Sequence, residues 1–237
     1  MEQPYLYYIT WGEGGSPTPS ILPKELQACE YFEADGNSWI KLDQTNIQYN
    51  NKIELKFSVI NDANNNTLLF GARTASNNNC LMVYPSPMYS DFRMWYGTGL
   101  AASQSFSYNF ANNQDFIVST TNNNADWSVY DFNGNLIWNH YFNLAYPTGN
   151  QNLYLFNAAL PTINPASASF AGTKIYYFEI ETICKYVACY VKTGETFVDT
   201  KGNACAAGTP GMYDVVNNIF YTNDGTGAFT VGPDIIL

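Results

Sequence analysis

Two carboxylates lie close together on one predicted strand. Glu179 and Glu181 are two residues apart, so alternation points their side chains to the same face. Such a pair can cleave a glycosidic bond only when the groups are held about 5 to 9 Å apart around it and differ in pKa. Because both alternate with the apolar residues Phe178 and Ile180, a solvated outer face is the favoured interpretation. We therefore predict no catalytic residue and no enzyme; a glycoside hydrolase using this pair is the alternative.

Other residues suited to catalysis or metal binding lack the necessary partners. His140 is the sole histidine and has no Ser or Cys motif around it, which argues against a triad and against zinc. Asp214 could bind calcium, but no D-x-D-x-D loop surrounds it, so a carboxylate that accepts backbone N–H groups in a turn is the default. Gly225-Thr226-Gly227 lacks nucleotide-binding spacing and is predicted to be a closing turn. We expect no cofactor, and Ca²⁺ is unsupported.

Aromatic and polar side chains offer a different chemistry. The C–H faces of sugars stack on Trp and Tyr rings, while Arg, Asn and Asp bind their hydroxyls. Arg93 and Trp95 alternate onto one face of a predicted strand, and two more Trp residues flank a predicted hairpin. For each Trp the alternative is a place in the core. The candidate ligand-binding residues are Arg93, Trp95, Trp127 and Trp138.

The chain has five cysteines, so at least one cannot pair within the chain. Cys184 and Cys189 are five apart in a strand-like segment, which puts them beyond disulfide reach. Reduced, partly buried thiols are the default prediction. A bridge between Cys189 and Cys205 across a loop is the alternative.

Composition and charge exclude several classes of protein. Ten basic residues against 20 acidic ones give a net charge of −10, with no basic cluster to bind nucleic acid. A 16% aromatic content argues against intrinsic disorder. No segment approaches 18 consecutive apolar residues, and the first residues, Met1 to Pro4, lack the basic and apolar regions of an export signal. We expect neither nucleic-acid binding nor membrane insertion.

Hydrophobic residues recur with period two almost throughout the chain, as in half-buried β-strands. The 29 Asn residues cluster between these segments, where turns are needed. Asn133-Gly134 predicts an antiparallel hairpin with a two-residue type I′ turn. The pattern predicts an all-β, two-sheet antiparallel sandwich. The predicted strands are Lys52–Ile60, Cys80–Tyr84, Phe92–Tyr96, Asp115–Thr120, Trp127–Phe132, Leu136–Phe142, Asn152–Asn157 and Ile175–Ile183.

The first 20 residues differ from the rest. Tyr5–Trp11 is strand-like and aromatic, and Gly12–Ser20 is rich in Gly, Pro and Ser. We interpret residues 1–20 as an arm with a linker, and residues 21–237 as one sandwich domain. An additional edge strand of that sandwich is an equal alternative for the aromatic segment.

Several segments carry a family resemblance over about residues 22 to 234. They are Leu22-Pro23, Glu30–Ile40, Leu69–Arg73, Lys174–Phe178, Gly211–Asp214 and Phe220–Phe229. In this order they resemble the concanavalin A-like lectin/glucanase domains of the laminin-G-like (LamG) type, common in gut bacterial surface proteins and their phages. The resemblance implies a jelly roll with a concave face that holds a glycan in many relatives. Residues Lys192–Gly208 depart from the family pattern as a longer loop.

Together these features predict a non-catalytic surface-display or carbohydrate-recognition module. We expect a phage virion protein, such as a fibre or decoration protein, located at the virion surface. Its expected partners are other virion or surface proteins, contacted through residues 1–20, with glycans as candidate ligands and a homo-oligomeric state. The alternatives are a glycoside hydrolase and a secreted bacterial surface lectin.

Overall fold

The computed structural model describes residues 22–43, 51–59, 69–72, 78–86, 90–100, 102–110, 114–120, 126–143, 152–156 and 172–235. These residues form 19 β-strands and no helix, so none of their segments is a helix that could cross a membrane. The strands are β1 (Leu26–Ala28), β2 (Phe32–Ala34), β3 (Ile40–Leu42), β4 (Ile53–Val59), β5 (Phe70–Ala72), β6 (Asn78–Ser86), β7 (Asp91–Leu100), β8 (Ala102–Ser107), β9 (Gln114–Thr120), β10 (Asp126–Asp131), β11 (Leu136–Tyr141), β12 (Leu153–Leu155), β13 (Lys174–Ile180), β14 (Cys184–Val191), β15 (Phe197–Val198), β16 (Ala204–Cys205), β17 (Pro210–Asp214), β18 (Ile219–Thr222) and β19 (Phe229–Val231).

The strands form two principal antiparallel sheets. The large sheet has the order β11-β10-β9-β4-β13-β14-β17-β18; in addition, β1 pairs with β14, and β2 pairs with β13 and β19. The six-stranded sheet has the order β3-β12-β5-β6-β7-β8. A short hairpin, β15-β16, stands apart from both sheets.

Aromatic side chains from the two sheets meet in one core. Phe57 of the large sheet lies 5.9 Å from Phe92 of the six-stranded sheet, between ring centroids. Phe178 and Phe70 make a similar contact at 5.3 Å. Because side chains from both inner faces share this core, the molecule is an antiparallel β-sandwich, which confirms the predicted fold class.

Strand β4 shows how the sequence pattern produces the sandwich. Its odd-numbered residues Ile53, Leu55, Phe57 and Val59 are all buried in the core, as their alternation predicts. The strands flanking Asn133-Gly134 also pair as predicted, with Trp127 opposite His140 in the β10-β11 register.

The turn of this hairpin differs from the prediction. Of its residues only Gly134 has a positive φ (81°), so the predicted type I′ turn is wrong. The connection is longer: Asp131 N–H donates to the Asn135 carbonyl, and Gly134 N–H to the Asp131 carbonyl, each at 3.0 Å. The Asp131 carboxylate also accepts the backbone N–H groups of Asn133 and Asn135, at 2.9 and 2.8 Å. This side chain selects the longer turn.

A second apolar cluster lies on the other side of the large sheet. It joins β14 and β17 to residues at the start of the described chain and in the 192–208 loop, among them Leu26, Cys189, Cys205 and Phe220. Phe197 of the loop contacts the ring of Phe220 edge-on, at 5.6 Å between centroids. The unusual loop therefore covers part of the sheet with its own small core.

The cysteines inside the described residues are thiols. Cys29, Cys184, Cys189 and Cys205 are free and buried, which agrees with the default prediction and not with a Cys189–Cys205 bridge. Burial raises the pKa of Cys29 and of Cys184 to about 12. These thiols therefore stay protonated at neutral pH.

Two segments that carry the family resemblance pack against each other. Asp35 accepts the backbone N–H of Ala228 at 2.7 Å, and Asn223 accepts that of Trp39 at 3.1 Å. Gly227 N–H donates to the Asn37 carbonyl at 3.0 Å. We call these two segments, residues 35–39 and 223–228, the terminal clasp, since they join the beginning of the domain to its end. Gly225 and Gly227 thus lie in the predicted closing turn.

Candidate functional site

The candidate site lies on the side of the six-stranded sheet that faces away from the core. Strand β7 alternates: Phe92, Met94 and Tyr96 are buried in the core, while Arg93 and Trp95 are half-buried on the opposite side. The predicted placement of Arg93 and Trp95 on one face is therefore what the structure shows. We call the outward-pointing residues of this sheet, including Asp91, Arg93, Trp95, Ser105 and Tyr154, the six-strand face.

The strand register places two aromatic residues in one row of this face. Trp95 is paired with Met82, Met82 with Gly71, and Gly71 with Tyr154. Three strand spacings of about 4.8 Å separate Trp95 from Tyr154, or about 14 Å in total. Gly71 contributes no side chain to the row between them. The row continues beyond Trp95 to Ser103 on β8 and beyond Tyr154 to the exposed Lys41 on β3, so the two rings are its aromatic positions.

Beside Trp95, an ion pair fixes the position of the arginine. The Arg93 guanidinium donates to one oxygen of Asp91, Oδ2, from Nε at 2.8 Å and from Nη2 at 2.7 Å. The other oxygen, Oδ1, is buried and has no hydrogen-bond partner among the described residues. Ser105 and Ser107, the partners of Arg93 and Asp91 on β8, are exposed. Beside Trp95, the face thus offers an ion pair whose charges cancel and uncharged hydroxyl groups.

Further along the row, Tyr154 is half-buried next to an acidic group. Burial, together with the negative charge of Asp224, raises the pKa of the Tyr154 phenol. Asp224 itself is paired with Lys201 at 2.7 Å and accepts the backbone N–H of Lys41 at 2.8 Å. The phenol is therefore neutral over the physiological range and can both donate and accept a hydrogen bond.

Trp127 and Trp138 are not part of this face. Trp127 is 1% exposed and stacks on Phe70, 6.1 Å between centroids, so its predicted ligand contact is corrected to a core role. Trp138 is half-buried and stacks on Phe106 of β8 at 5.0 Å. Since β11 and β8 are end strands of the two sheets among the described residues, this contact closes one side of the sandwich.

The two carboxylates considered from the sequence lie at the end of β13. Glu179 lies on β13, 3.4 Å from Lys185, while Glu181 follows the end of that strand. Glu54 is the cross-strand partner of Glu179. Lys52 lies 2.9 Å from the Glu54 carboxylate, which also accepts the Tyr177 hydroxyl hydrogen. Glu179 and Glu54 are thus each paired with a lysine, and the charge of Glu181 also acts on Lys52, which suits a charged outer surface.

His140 and Asp214 occupy structural positions. The imidazole of His140 stacks on Trp138, two residues earlier on the same strand, at 5.6 Å between ring centroids. Asp214 is fully buried and accepts the backbone N–H groups of Lys185, Val216 and Asn217 at 3.2, 3.0 and 3.3 Å, which confirms its predicted role in a turn. Within the described ranges, no group of three or more His, Cys, Asp or Glu residues could hold a metal ion.

Lys56 is a buried group that the sequence pattern missed. Alternation places it on the outer face of the large sheet, yet it is 0% exposed. Its ammonium lies 4.2 Å from the ring centroid of Phe132 and 4.7 Å from that of Tyr176. Burial lowers the pKa of Lys56 to about 8, although the charges of Asp115 and Glu30 act in the opposite direction. The rings supply part of the stabilisation that water would otherwise give.

Comparisons with known proteins give distant structural similarities. The CBM40 of the Ruminococcus gnavus IT-sialidase has 14% identity and a TM-score of 0.46, covering 68% of this chain and 91% of that one. The same module bound to alpha2,3 sialyllactose has 13% identity and a TM-score of 0.46, covering 68% and 91%. A native heptameric SAP-like pentraxin from Limulus polyphemus has 10% identity and a TM-score of 0.46, covering 69% and 77%. No family model and no curated protein matches the chain.

Proposed function

We propose that the protein is a non-catalytic carbohydrate-recognition module that binds glycans across the six-strand face. The observation that carries this proposal is the row that contains Trp95 and Tyr154, with the Arg93–Asp91 pair beside it. Aromatic rings held on strands give rigid stacking surfaces, and fixed polar groups beside them orient a ligand. This combination matches the apolar C–H faces and the hydroxyl rims of sugars.

A glycan array with the whole chain tests the proposal. We expect binding that Trp95→Ala reduces at least tenfold, because the ring supplies stacking area that no neighbouring side chain replaces. Tyr130→Ala is the matched control, since Tyr130 is a half-buried aromatic on the large sheet. Thermal unfolding of both variants checks that the fold persists. An array without binding, or equal losses in both variants, would contradict the proposal.

We further propose that the domain belongs to the LamG type and is displayed at a virion surface, docked through residues 1–20. The sequence motifs and the Pro/Gly/Ser-rich linker support this proposal. Residues 1–21 lie outside the described residues, whose core begins at Leu22. Removing residues 1–20 should leave unfolding unchanged and abolish incorporation into particles. An unfolded truncation, or normal incorporation, would contradict the docking role.

A further inference from the structure

Arg93, the cation beside Trp95 on the six-strand face, is already paired with a carboxylate. Arg93 donates through two nitrogens to a single oxygen of Asp91, and the Asp91 side chain is only 16% exposed. Charge-assisted bonds of this kind are among the strongest hydrogen bonds in proteins. An anionic ligand would have to displace a carboxylate that lies two residues away on the same strand. Asp91 would then be left partly buried and unpaired.

The opposite end of the row carries mixed charge, so the charge argument applies to the Trp95 end. Near Tyr154 the acidic group Asp224 acts on the phenol and is paired with Lys201, while the exposed Lys41 is the cross-strand partner of Tyr154. The exposed β8 partners of the ion pair, Ser105 and Ser107, present hydroxyls that are uncharged donors and acceptors. The whole chain carries a net charge of −10, which repels anions at distances up to about 8 Å at physiological salt.

The spacing of the rings favours a long ligand. Trp95 and Tyr154 are about 14 Å apart across the strands, too far for one sugar ring to contact both. Because Gly71 contributes no side chain to the row, a chain lying across the strands can approach the backbone there. A ligand that uses both rings must therefore span several sugar units.

We infer that the ligand of the six-strand face is a glycan chain of several sugar units that runs across the strands, contacts both Trp95 and Tyr154, and is uncharged at the Trp95 end. This inference rests on the proposed carbohydrate-binding function. It assigns Tyr154 as a second stacking residue, and it assigns to the Arg93–Asp91 pair the role of excluding acidic sugars.

Calorimetric titration with neutral oligosaccharides of increasing length tests the inference. For the whole chain, affinity should rise at least fivefold with length and then level off once the ligand spans both rings. Tyr154→Ala should remove that rise, because a longer ligand then gains no second ring. Tyr130→Ala should keep the rise. A rise of equal size in Tyr154→Ala would overturn the assignment of Tyr154.

Acidic oligosaccharides of matched length test the charge argument. Asp91→Asn should increase the affinity for acidic oligosaccharides relative to neutral ones at least threefold, because it removes a carboxylate that neutralises Arg93. An unchanged ratio in Asp91→Asn would overturn the charge assignment while leaving carbohydrate recognition intact. Failure of every oligosaccharide to bind would instead overturn the proposed function itself, and the inference with it.

Discussion

At the residue scale, one five-residue pattern explains two turns. Asp131 to Asn135 and Asp199 to Asn203 share the sequence D-x-x-G-N. In both, the Asp carboxylate accepts the backbone N–H groups two and four residues later, at distances from 2.8 to 2.9 Å. In both, the Gly has a positive φ, 81° for Gly134 and 78° for Gly202. The Asn-Gly signal predicted the first hairpin correctly, but the leading Asp, which selects the longer turn, was the informative residue.

The two Asp residues differ in burial, so their loss should differ in effect. Asp199 is buried and also accepts the Thr222 hydroxyl hydrogen at 2.9 Å, whereas Asp131 serves an exposed turn. Burial alone would raise the pKa of Asp199, but the hydrogen bonds from Asn203 and Thr222 outweigh it and lower that pKa. Asp199→Ala should therefore lower the free energy of unfolding by about 1 to 3 kcal/mol in urea titrations at pH 7, and Asp131→Ala by less.

The pH dependence of the Asp199 effect supplies a second readout. A carboxylate whose pKa is lowered in the folded state stabilises the protein above its unfolded pKa, and this contribution is lost as pH falls through the folded value. The difference between the natural chain and Asp199→Ala should accordingly shrink below about pH 4. A difference that stays constant down to pH 2 would show that the carboxylate charge plays no part.

At the scale of the element, periodicity defines a strand's inner face more reliably than its outer face. The inner residues of β4 were predicted correctly because the core follows from alternation. Lys56 and Ser58, on the other side, are also buried. Phe132, in the turn after β10, and Tyr176 of β13 cover Lys56. A β-bulge in β13, between Ile175 and Tyr177, accompanies this arrangement. Such cover depends on three-dimensional placement that no local pattern contains.

The buried ammonium of Lys56 on β4 should make the free energy of unfolding depend on pH. Since the pKa of Lys56 falls from 10.5 to about 8 on folding, the unfolded chain binds more protons between these values. The free energy of unfolding should therefore rise with pH from about 8 to 10.5, by a contribution on the order of 3 kcal/mol at most. In Lys56→Met, which retains an apolar chain of similar length, that contribution should be absent.

Comparing the natural chain with Lys56→Met separates the contribution of Lys56 from those of other groups that titrate in this range. Cys29, Cys184 and Tyr221 have pKa values raised to about 12, so they reduce stability at high pH in both proteins alike. Urea titrations at pH 7, 8, 9 and 10 should give free energies of unfolding for the natural chain and for Lys56→Met whose difference changes with pH. A difference that is the same at every pH would refute a buried amine at Lys56 that titrates in this range.

At the scale of the whole molecule, the large sheet supports two cores and the terminal clasp joins its distant parts. Asp35 and Ala228 are 193 positions apart, yet they are held by a 2.7 Å hydrogen bond. The sequence predicted a turn at Gly225-Thr226-Gly227, and the family resemblance drew attention to both segments of the clasp. Their contact was not predictable, because turn propensity is local and contains no information about partners so far away. The same holds for the row from Trp95 to Tyr154, which exists only through the pairing of four strands.

Because of the terminal clasp, replacing a glycine at the end of the domain should lower the free energy of unfolding more than replacing one in an exposed hairpin. A Cβ atom at Gly225 would lie 2.0 Å from the backbone carbonyl oxygen of Asn37, so Gly225→Ala must open the contact between residues 35–39 and 223–228. Gly134→Ala is the matched control, because a Cβ there meets nothing within 4 Å and the cost is limited to its positive φ of 81°, about 1 kcal/mol.

We expect Gly225→Ala to lower the free energy of unfolding by about 2 to 3 kcal/mol, because backbone must move to admit the methyl group. Urea titrations followed by tryptophan fluorescence measure both variants, and Trp39, which contacts Gly225 in the clasp, reports on its opening. Equal losses of unfolding free energy in the two variants would mean that opening the terminal clasp costs no stability, and that the sandwich is stable without joining its two ends.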